Sequence, residues 1–202
     1  MSEQIGYGVF ATERIPRGTV VWVLDDLDQR VDDVRAAAIV GPAREMLHRY
    51  TFLDSAGVRI LCWDNAKYVN HHCEANCLSP GFQLEIAIRD IEAGEELTDD
   101  YGSLNLEDSF DCACGSRRCR GIIGPPDFES LAEQWDDALR AAVADVASVD
   151  QPLWEYLTEL ERGALLAAAA APRAMPSIRA HFRSPVPAAL LPGASRRRST
   201  RG

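Results

Sequence analysis

Two hydrophobic periods divide this chain. In its first part apolar residues alternate or cluster in short runs, the mark of β-strands; later they recur about every 3.6 residues, the mark of amphipathic helices. Val9-Phe10-Ala11 and Thr19 to Leu24 are rich in β-branched and aromatic residues and predict two strands, with Pro16-Arg17-Gly18 as the turn between them. Phe52 to Trp63 predicts a hairpin turning near Asp54 to Gly57. In Phe82 to Ile88, Phe82, Leu84, Ile86 and Ile88 fall on one face of a strand. Ile91 to Gly94 is a further turn, and Glu95 to Tyr101 follows as a short strand or extended loop. One helical stretch interrupts this series, Asp32 to Tyr50, with Val34, Ala37, Ala38, Met46 and Leu47 as its apolar members and a break at Gly41-Pro42. The pattern predicts a mainly β core with a small helical insertion.

Beyond Pro125-Pro126 the period changes. Phe128, Leu131, Trp135, Leu139, Ala142, Val143 and Val146 predict a helix over 127–148, and Trp154, Leu157, Leu160, Ala164 and Leu165 predict a second beginning near Asp150. These stripes are expected to pack on each other or on the β core. From Pro185 onward small residues and proline dominate and the chain ends in arginines, which predicts a disordered basic tail. No apolar run approaches the roughly 20 residues that span a bilayer. The start MSEQIGYG has no basic region followed by an apolar core, so a cytoplasmic location is the default expectation.

Charge adds a constraint on partners. The net charge is −10, and residues 1–126 hold 21 acidic against 12 basic side chains. Such a surface suits a basic protein or peptide and disfavours nucleic acid as the main partner. The six cysteines change the picture more. Cys112-x-Cys114-x4-Cys119 places three thiolates within reach of one ion, and structural zinc takes four ligands in a tetrahedron. No fourth ligand follows within the cluster, so it must come from Cys62, Cys73, Cys77 or a histidine.

Three other segments carry candidate chemistry. Gly6-Tyr7-Gly8 permits a tight turn and close backbone approach to a ligand. Asn70-His71, opening Asn70-His71-His72-Cys73-Glu74-Ala75-Asn76-Cys77, sets an amide beside an imidazole. Glu95-Glu96-Leu97-Thr98-Asp99-Asp100-Tyr101-Gly102 ends on a phenol. Together with Cys112 to Gly121, in this order, these segments resemble the SET-domain protein lysine methyltransferases that end in a zinc-binding post-SET segment. The resemblance covers about residues 4–124, and Tyr50-Thr51-Phe52 is similar to a further aromatic segment of that family.

The resemblance implies a SET-domain β-fold in which the Tyr101 segment threads beneath the Asn70 loop as a pseudoknot, with a small helical insertion. It implies a SET domain at 4–108 and a post-SET segment at 109–124, to which the periodicity and composition add a C-terminal α-helical extension at 127–183 and a disordered basic tail at 184–202. It implies S-adenosylmethionine held by Gly6, Tyr7, Gly8, Tyr50, Asn70, His71 and Tyr101, and a lysine-containing protein substrate entering from the opposite face. Tyr101 is the implied catalytic residue, and Cys73 the implied fourth zinc ligand beside Cys112, Cys114 and Cys119. Three positions depart from the family pattern: Ala75 stands for proline, His72 for serine, and Asp99 for an aromatic residue that shapes the lysine channel. Asp99 and Ala75 sustain an alternative, a catalytically weak SET-like module that binds partners.

Overall fold

The structure, a computed structural model, describes residues 6–81 and 83–183. Phe82 and the expected basic tail lie outside the described residues. Up to Ile123 the described residues build eleven short strands: β1 (Val9–Phe10), β2 (Val20–Val23), β3 (Gln29–Val31), β4 (Thr51–Leu53), β5 (Arg59–Leu61), β6 (Asn70–His71), β7 (Cys77–Leu78), β8 (Leu84–Ala87), β9 (Glu96–Asp99), β10 (Phe110–Asp111) and β11 (Ile122–Ile123). They form a six-stranded sheet in the order β1-β9-β7-β8-β2 with β6 also on β9, a three-stranded sheet β3-β5-β4, and the hairpin β10-β11. This is the mainly β architecture expected from the alternating runs.

β9 holds the arrangement together. It pairs in parallel with both β6, through Asn70 opposite Thr98 and His71 opposite Asp99, and β7, through Cys77 opposite Asp99. The loop 72–76 therefore straddles β9. Asn76, 1% exposed, fastens it: its Oδ1 accepts from the Thr98 N–H at 2.8 Å and its Nδ2 donates to the Glu96 carbonyl at 2.8 Å. A buried amide with both ends satisfied specifies one register, since a slip would leave polar groups unpaired.

β2 and β8 pair antiparallel with a bulge between Val20 and Trp22. The extra residue brings Trp22 opposite Glu85, and both side chains reach the same cavity. The expected helical insertion is two helices, α1 (Asp33–Ala38), capped by the Asp32 carboxylate, and α2 (Pro42–Tyr50), separated by Gly41 at φ +65°. Of its apolar members only Leu47 is buried; Val34, Ala37, Ala38 and Met46 face outward.

The two long helices differ from expectation at their ends. α3 runs Pro125–Val143, because Pro125 and Pro126 occupy first-turn positions where no N–H is needed; Val146–Ser148 is a separate 3-10 turn. α4 (Glu159–Ala170) begins well after Asp150. Its start is set by Thr158 and Glu161: the Glu161 N–H donates to Thr158 Oγ1 and the Thr158 N–H to the Glu161 carboxylate, a capping box that the T-x-x-E sequence carries. Leu157 and Leu165 are buried, whereas Leu160 and Ala164 are exposed.

The helices share the core of the sheet. Ala142, Val143, Val146, Leu157 and Leu165 pack on Val20, Val23, Leu84 and Ile86, and Phe128, Ala132, Trp135 and Leu139 pack on Leu78 and Ile178. Gly18, at φ +91°, makes this approach possible, since a Cβ there would lie 2.9 Å from the Ala142 carbonyl. Gln151 seals the junction by accepting from the Val20 N–H and donating to the Gly18 carbonyl, each at 2.9 Å.

Candidate functional site

β9 ends at Asp99, the extended Asp100 follows and Tyr101 opens a 3-10 turn, and the three side chains divide between two directions. Asp99 and Tyr101 face a cavity of about 450 Å³ that Trp22, Phe52 and Glu85 also line. Asp100 points the other way, into the interior, where it is 4% exposed. There its carboxylate accepts from both terminal nitrogens of Arg120 at 2.8 and 2.5 Å, from Trp135 Nε1 at 3.1 Å and from the Gly102 N–H at 3.0 Å. One side chain thus joins the Tyr101 turn, the cysteine segment and α3.

A second cavity, about 380 Å³, adjoins the first. Tyr7, Tyr50, Asn70, His71 and Tyr101 line it, with Cys112 and Cys114 at one end. Tyr101 lines both cavities, as do Arg49, Tyr50, Lys67 and Phe110. Its hydroxyl donates to the Val69 carbonyl at 2.6 Å. Burial, then the nearby Asp99 and Glu85 charges, hold that phenol well above its ordinary pKa, so it is a neutral hydrogen-bonding group.

The polar end of the second cavity is built on β6. Asn70 donates both amide hydrogens, to the Tyr7 carbonyl at 2.8 Å and to Glu96 Oε1 at 2.7 Å, which leaves its own carbonyl oxygen for a ligand donor. This tether fixes the Gly6-Tyr7-Gly8 turn. A Cβ on Gly8 would lie 2.4 Å from Glu96 Oε1, so the glycine makes room for the carboxylate that holds Asn70. Gly6 and Gly8 shape this edge without lining the cavity. His71 Nδ1 accepts from the Tyr101 N–H at 3.1 Å, which places its proton on Nε2, 3.4 Å from Cys73 Sγ. Burial pushes the imidazole down to about 4 against the raising influence of Asp100, so the ring is neutral at ordinary pH.

Cys73, Cys112, Cys114 and Cys119 come together, their sulfurs all within 4.8 Å of one another. Zinc–sulfur bonds of about 2.3 Å in a tetrahedron require sulfurs roughly 3.8 Å apart, and Cys73 and Cys112 stand 3.8 Å apart. The donor set therefore fits zinc in number, type and spacing. Two donors support Cys73 from behind: His71 Nε2 and the Arg120 N–H, each at 3.4 Å. For the Cys114 thiol, burial is outweighed by hydrogen bonds that lower it to about 6, the thiolate state a metal needs. Cys62 and Cys77 are buried elsewhere and take no part. The hairpin β10-β11 encloses this knuckle and sets Phe110 against the His71 and Tyr101 rings at 5.8 and 6.2 Å between centroids.

Arg49, Lys67, Tyr68 and Phe110 line these cavities without having been singled out in the sequence. Tyr68 extends an aromatic cradle, its ring 5.1 Å from Tyr7 and 5.6 Å from Tyr50. Glu85 is the more telling omission. In sequence it is the polar member of an alternating strand, indistinguishable from a solvent-facing residue; in the structure the face of β8 opposite Leu84 and Ile86 meets the cavity instead of solvent.

The family model described as the SET domain matches residues 6–102. Curated relatives include "Histone-lysine N-methyltransferase ASHR3" of Arabidopsis thaliana, 38% identical over 66 residues, which are 29% of this chain and 13% of that protein. "Histone-lysine N-methyltransferase, H3 lysine-4 specific" of Schizosaccharomyces pombe is 31% identical over 126 residues, 57% of this chain and 14% of that protein. The chain thus spans about one seventh of these relatives' length. Among solved structures, KRYPTONITE in complex with mCHG DNA and SAH is 24% identical, with a TM-score of 0.43, covering 60% of this chain and 27% of that one. The cytoplasmic expectation is overturned by these matches: the relatives are named for modifying histones, which are chromatin proteins. That expectation rested only on the lack of a sorting signal, and an N-terminal peptide does not report where a substrate resides.

Proposed function

Residues 6–102 are a SET domain, the chain belongs to that family through them, and from this premise we propose that it transfers methyl groups from S-adenosylmethionine to lysine side chains of a basic protein. The observation that carries this reading is the pair of cavities that meet at Tyr101. Two reactants that must touch at one atom and yet exchange independently call for two entrances and one shared wall.

When bound, S-adenosylmethionine supplies an electrophilic methyl group on a positively charged sulfur. The second cavity would hold it, with Tyr7, Asn70 and His71 reading its polar edges and Tyr50, Tyr68 and Phe110 covering its flat ones. The first cavity would admit the lysine. Tyr101, fixed by its bond to the Val69 carbonyl, orients the amine at the junction and excludes water from it. It positions and does not abstract the proton, because its phenol is held too high to ionise. Zinc on Cys73, Cys112, Cys114 and Cys119 would pin Phe110 and the knuckle over the cofactor end.

The acidic balance of residues 1–126 favours a basic polypeptide, and histones are the relatives' named class of substrate. Incubation of the zinc-loaded chain with tritiated cofactor and recombinant core histones tests the reading. Label on histone lysines is expected, with Tyr101→Phe lowering kcat at least tenfold while SAH binding changes less than threefold. Cofactor binding without transfer to any lysine-rich protein would favour the alternative, a SET-like binding module.

A further inference from the structure

At the inner wall of the first cavity stand two acids whose place the methyl-transfer reading does not explain. Asp99 on β9 and Glu85 on β8 stand on either side of β7, and their carboxyl groups interact by a side-chain hydrogen bond. Both line the cavity alongside Tyr101. Asp99 is 2% exposed, and its Oδ1 has no hydrogen-bond partner among the described residues. A buried carboxylate oxygen without a donor costs several kcal/mol in general unless a ligand supplies one. The indole Nε1 of Trp22, opposite Glu85, is also buried without a partner. The wall of the cavity therefore holds an acceptor, Asp99 Oδ1, and a donor, the Trp22 indole N–H, that the protein itself leaves unsatisfied among the described residues.

The other charges nearby do not fill that need. Lys67 Nζ is committed to the Trp63 and Asp64 carbonyls at 3.0 and 2.6 Å, and Arg59 is paired with Glu107. Arg49 lies against the ring of Tyr50, its guanidinium carbon 5.6 Å from the centroid. Asp64 and Asp100 add negative charge around the two acids, and the neighbouring Cys62, Cys77 and Tyr101 are all held in their neutral forms by burial. Two carboxyl groups this close do not both ionise; they share one proton and carry one negative charge between them.

We propose that Glu85 and Asp99 form an ammonium receptor in the lysine cavity: Asp99 Oδ1 accepts an N–H of the incoming side chain, and the pair takes its proton before transfer. The inference rests on the methyltransferase reading and names the group that prepares its substrate. In the step, an N–H bond of the ammonium breaks and an O–H bond forms on the singly protonated pair. The pair goes from one negative charge to none and the ammonium from one positive charge to none. The lone pair left on nitrogen becomes available for attack, and the proton on the pair passes to water once the product departs. Free lysine, with a pKa of about 10.4, is almost wholly charged at neutral pH, so some group must do this. Burial holds both acids above the ordinary carboxylate range, Glu85 at about 7, which suits a proton acceptor working near neutrality.

Binding and turnover test the two halves separately. In nuclear magnetic resonance titrations of the SAH- and zinc-loaded protein, n-butylammonium should bind wild type at least tenfold more tightly than Asp99→Asn, and n-butanol should show no such preference. Equal affinity of the two proteins for n-butylammonium would overturn the receptor, whether or not the chain methylates anything. With core histones and tritiated cofactor, Glu85→Gln/Asp99→Asn should lose at least tenfold in kcat/KM at pH 7.5. The loss should shrink to within about fourfold at pH 10, where roughly a quarter of the amine arrives already neutral. A loss of the same size at both pH values would refute proton acceptance, because a merely structural role gives no rescue. Unchanged SAH affinity in the variants shows that they fold. No transfer by wild type that binds n-butylammonium would sink the methyltransferase reading and leave the receptor standing.

Discussion

Asp100→Ala is expected to destabilise the protein by about 3 kcal/mol, and the magnitude follows from its partners. The carboxylate is 4% exposed and accepts from Arg120 twice, from Trp135 Nε1 and from the Gly102 N–H. Removing one member of a buried ion pair generally costs about 3–5 kcal/mol, because the other charge stays buried alone. Arg120 retains some relief here: its side chain is 20% exposed and Asp127 remains 3.9 Å away. That moves the pair's share toward about 2 kcal/mol, and the stranded Trp135 indole N–H, in a residue 3% exposed, adds about 1 kcal/mol. For a domain of 150–250 residues each kcal/mol moves Tm by about 2–4 °C, so a fall of about 6–12 °C is expected. Urea unfolding with zinc saturating reads the free energy, and a double-mutant cycle with Arg120→Ala isolates the pair, with a coupling of about 2 kcal/mol expected. A loss under about 1 kcal/mol, or a coupling near zero, would refute the claim that this carboxylate ties the Tyr101 turn to the cysteine segment and α3.

Metal binding and cofactor binding should move together: Cys114→Ser, or a chelator on the wild type, should lower bound zinc below half an equivalent and weaken SAH binding at least fivefold. Calorimetry and metal analysis check this, and full SAH affinity in the metal-free protein would show that the knuckle does not cover the cofactor cavity. The acid pair also sets a pH dependence. Glu85 is raised in the fold to about 7, so its stabilising contribution is complete below the unfolded value near 4.5 and is lost as pH rises through 7. Glu85→Gln should therefore match or trail the wild type in urea unfolding at pH 4.5 and surpass it at pH 8. A stability difference independent of pH would contradict a shared buried proton.

The strand segments were legible because β-branched and aromatic residues alternate within them, and the α3 stripe because Phe128, Trp135 and Leu139 repeat at helical spacing. α4 starts at Glu159 and not near Asp150, because Trp154–Tyr156 forms a separate 3-10 turn and the Thr158–Glu161 capping box opens the helix. Within the insertion Val34 and Met46 keep helical spacing yet stand exposed, because no described element covers that face. Periodicity reports which residues share a face and says nothing of whether another element covers it.

By itself the sequence determined the chemical groups: three clustered cysteines able to bind one metal with a fourth ligand from elsewhere, an amide and imidazole side by side, a phenol closing the Glu95 segment, and the acid two residues before it. Those follow from side-chain chemistry and local spacing. Only the tertiary structure decided which groups meet. Cys73 reaches Cys112 from 39 residues away because β6 and β7 both pair with β9, and Glu85 meets Asp99 because β8 and β9 both pair with β7. Such meetings depend on register and on long-range pairing, whose free energy is spread over the whole sheet and written in no single segment.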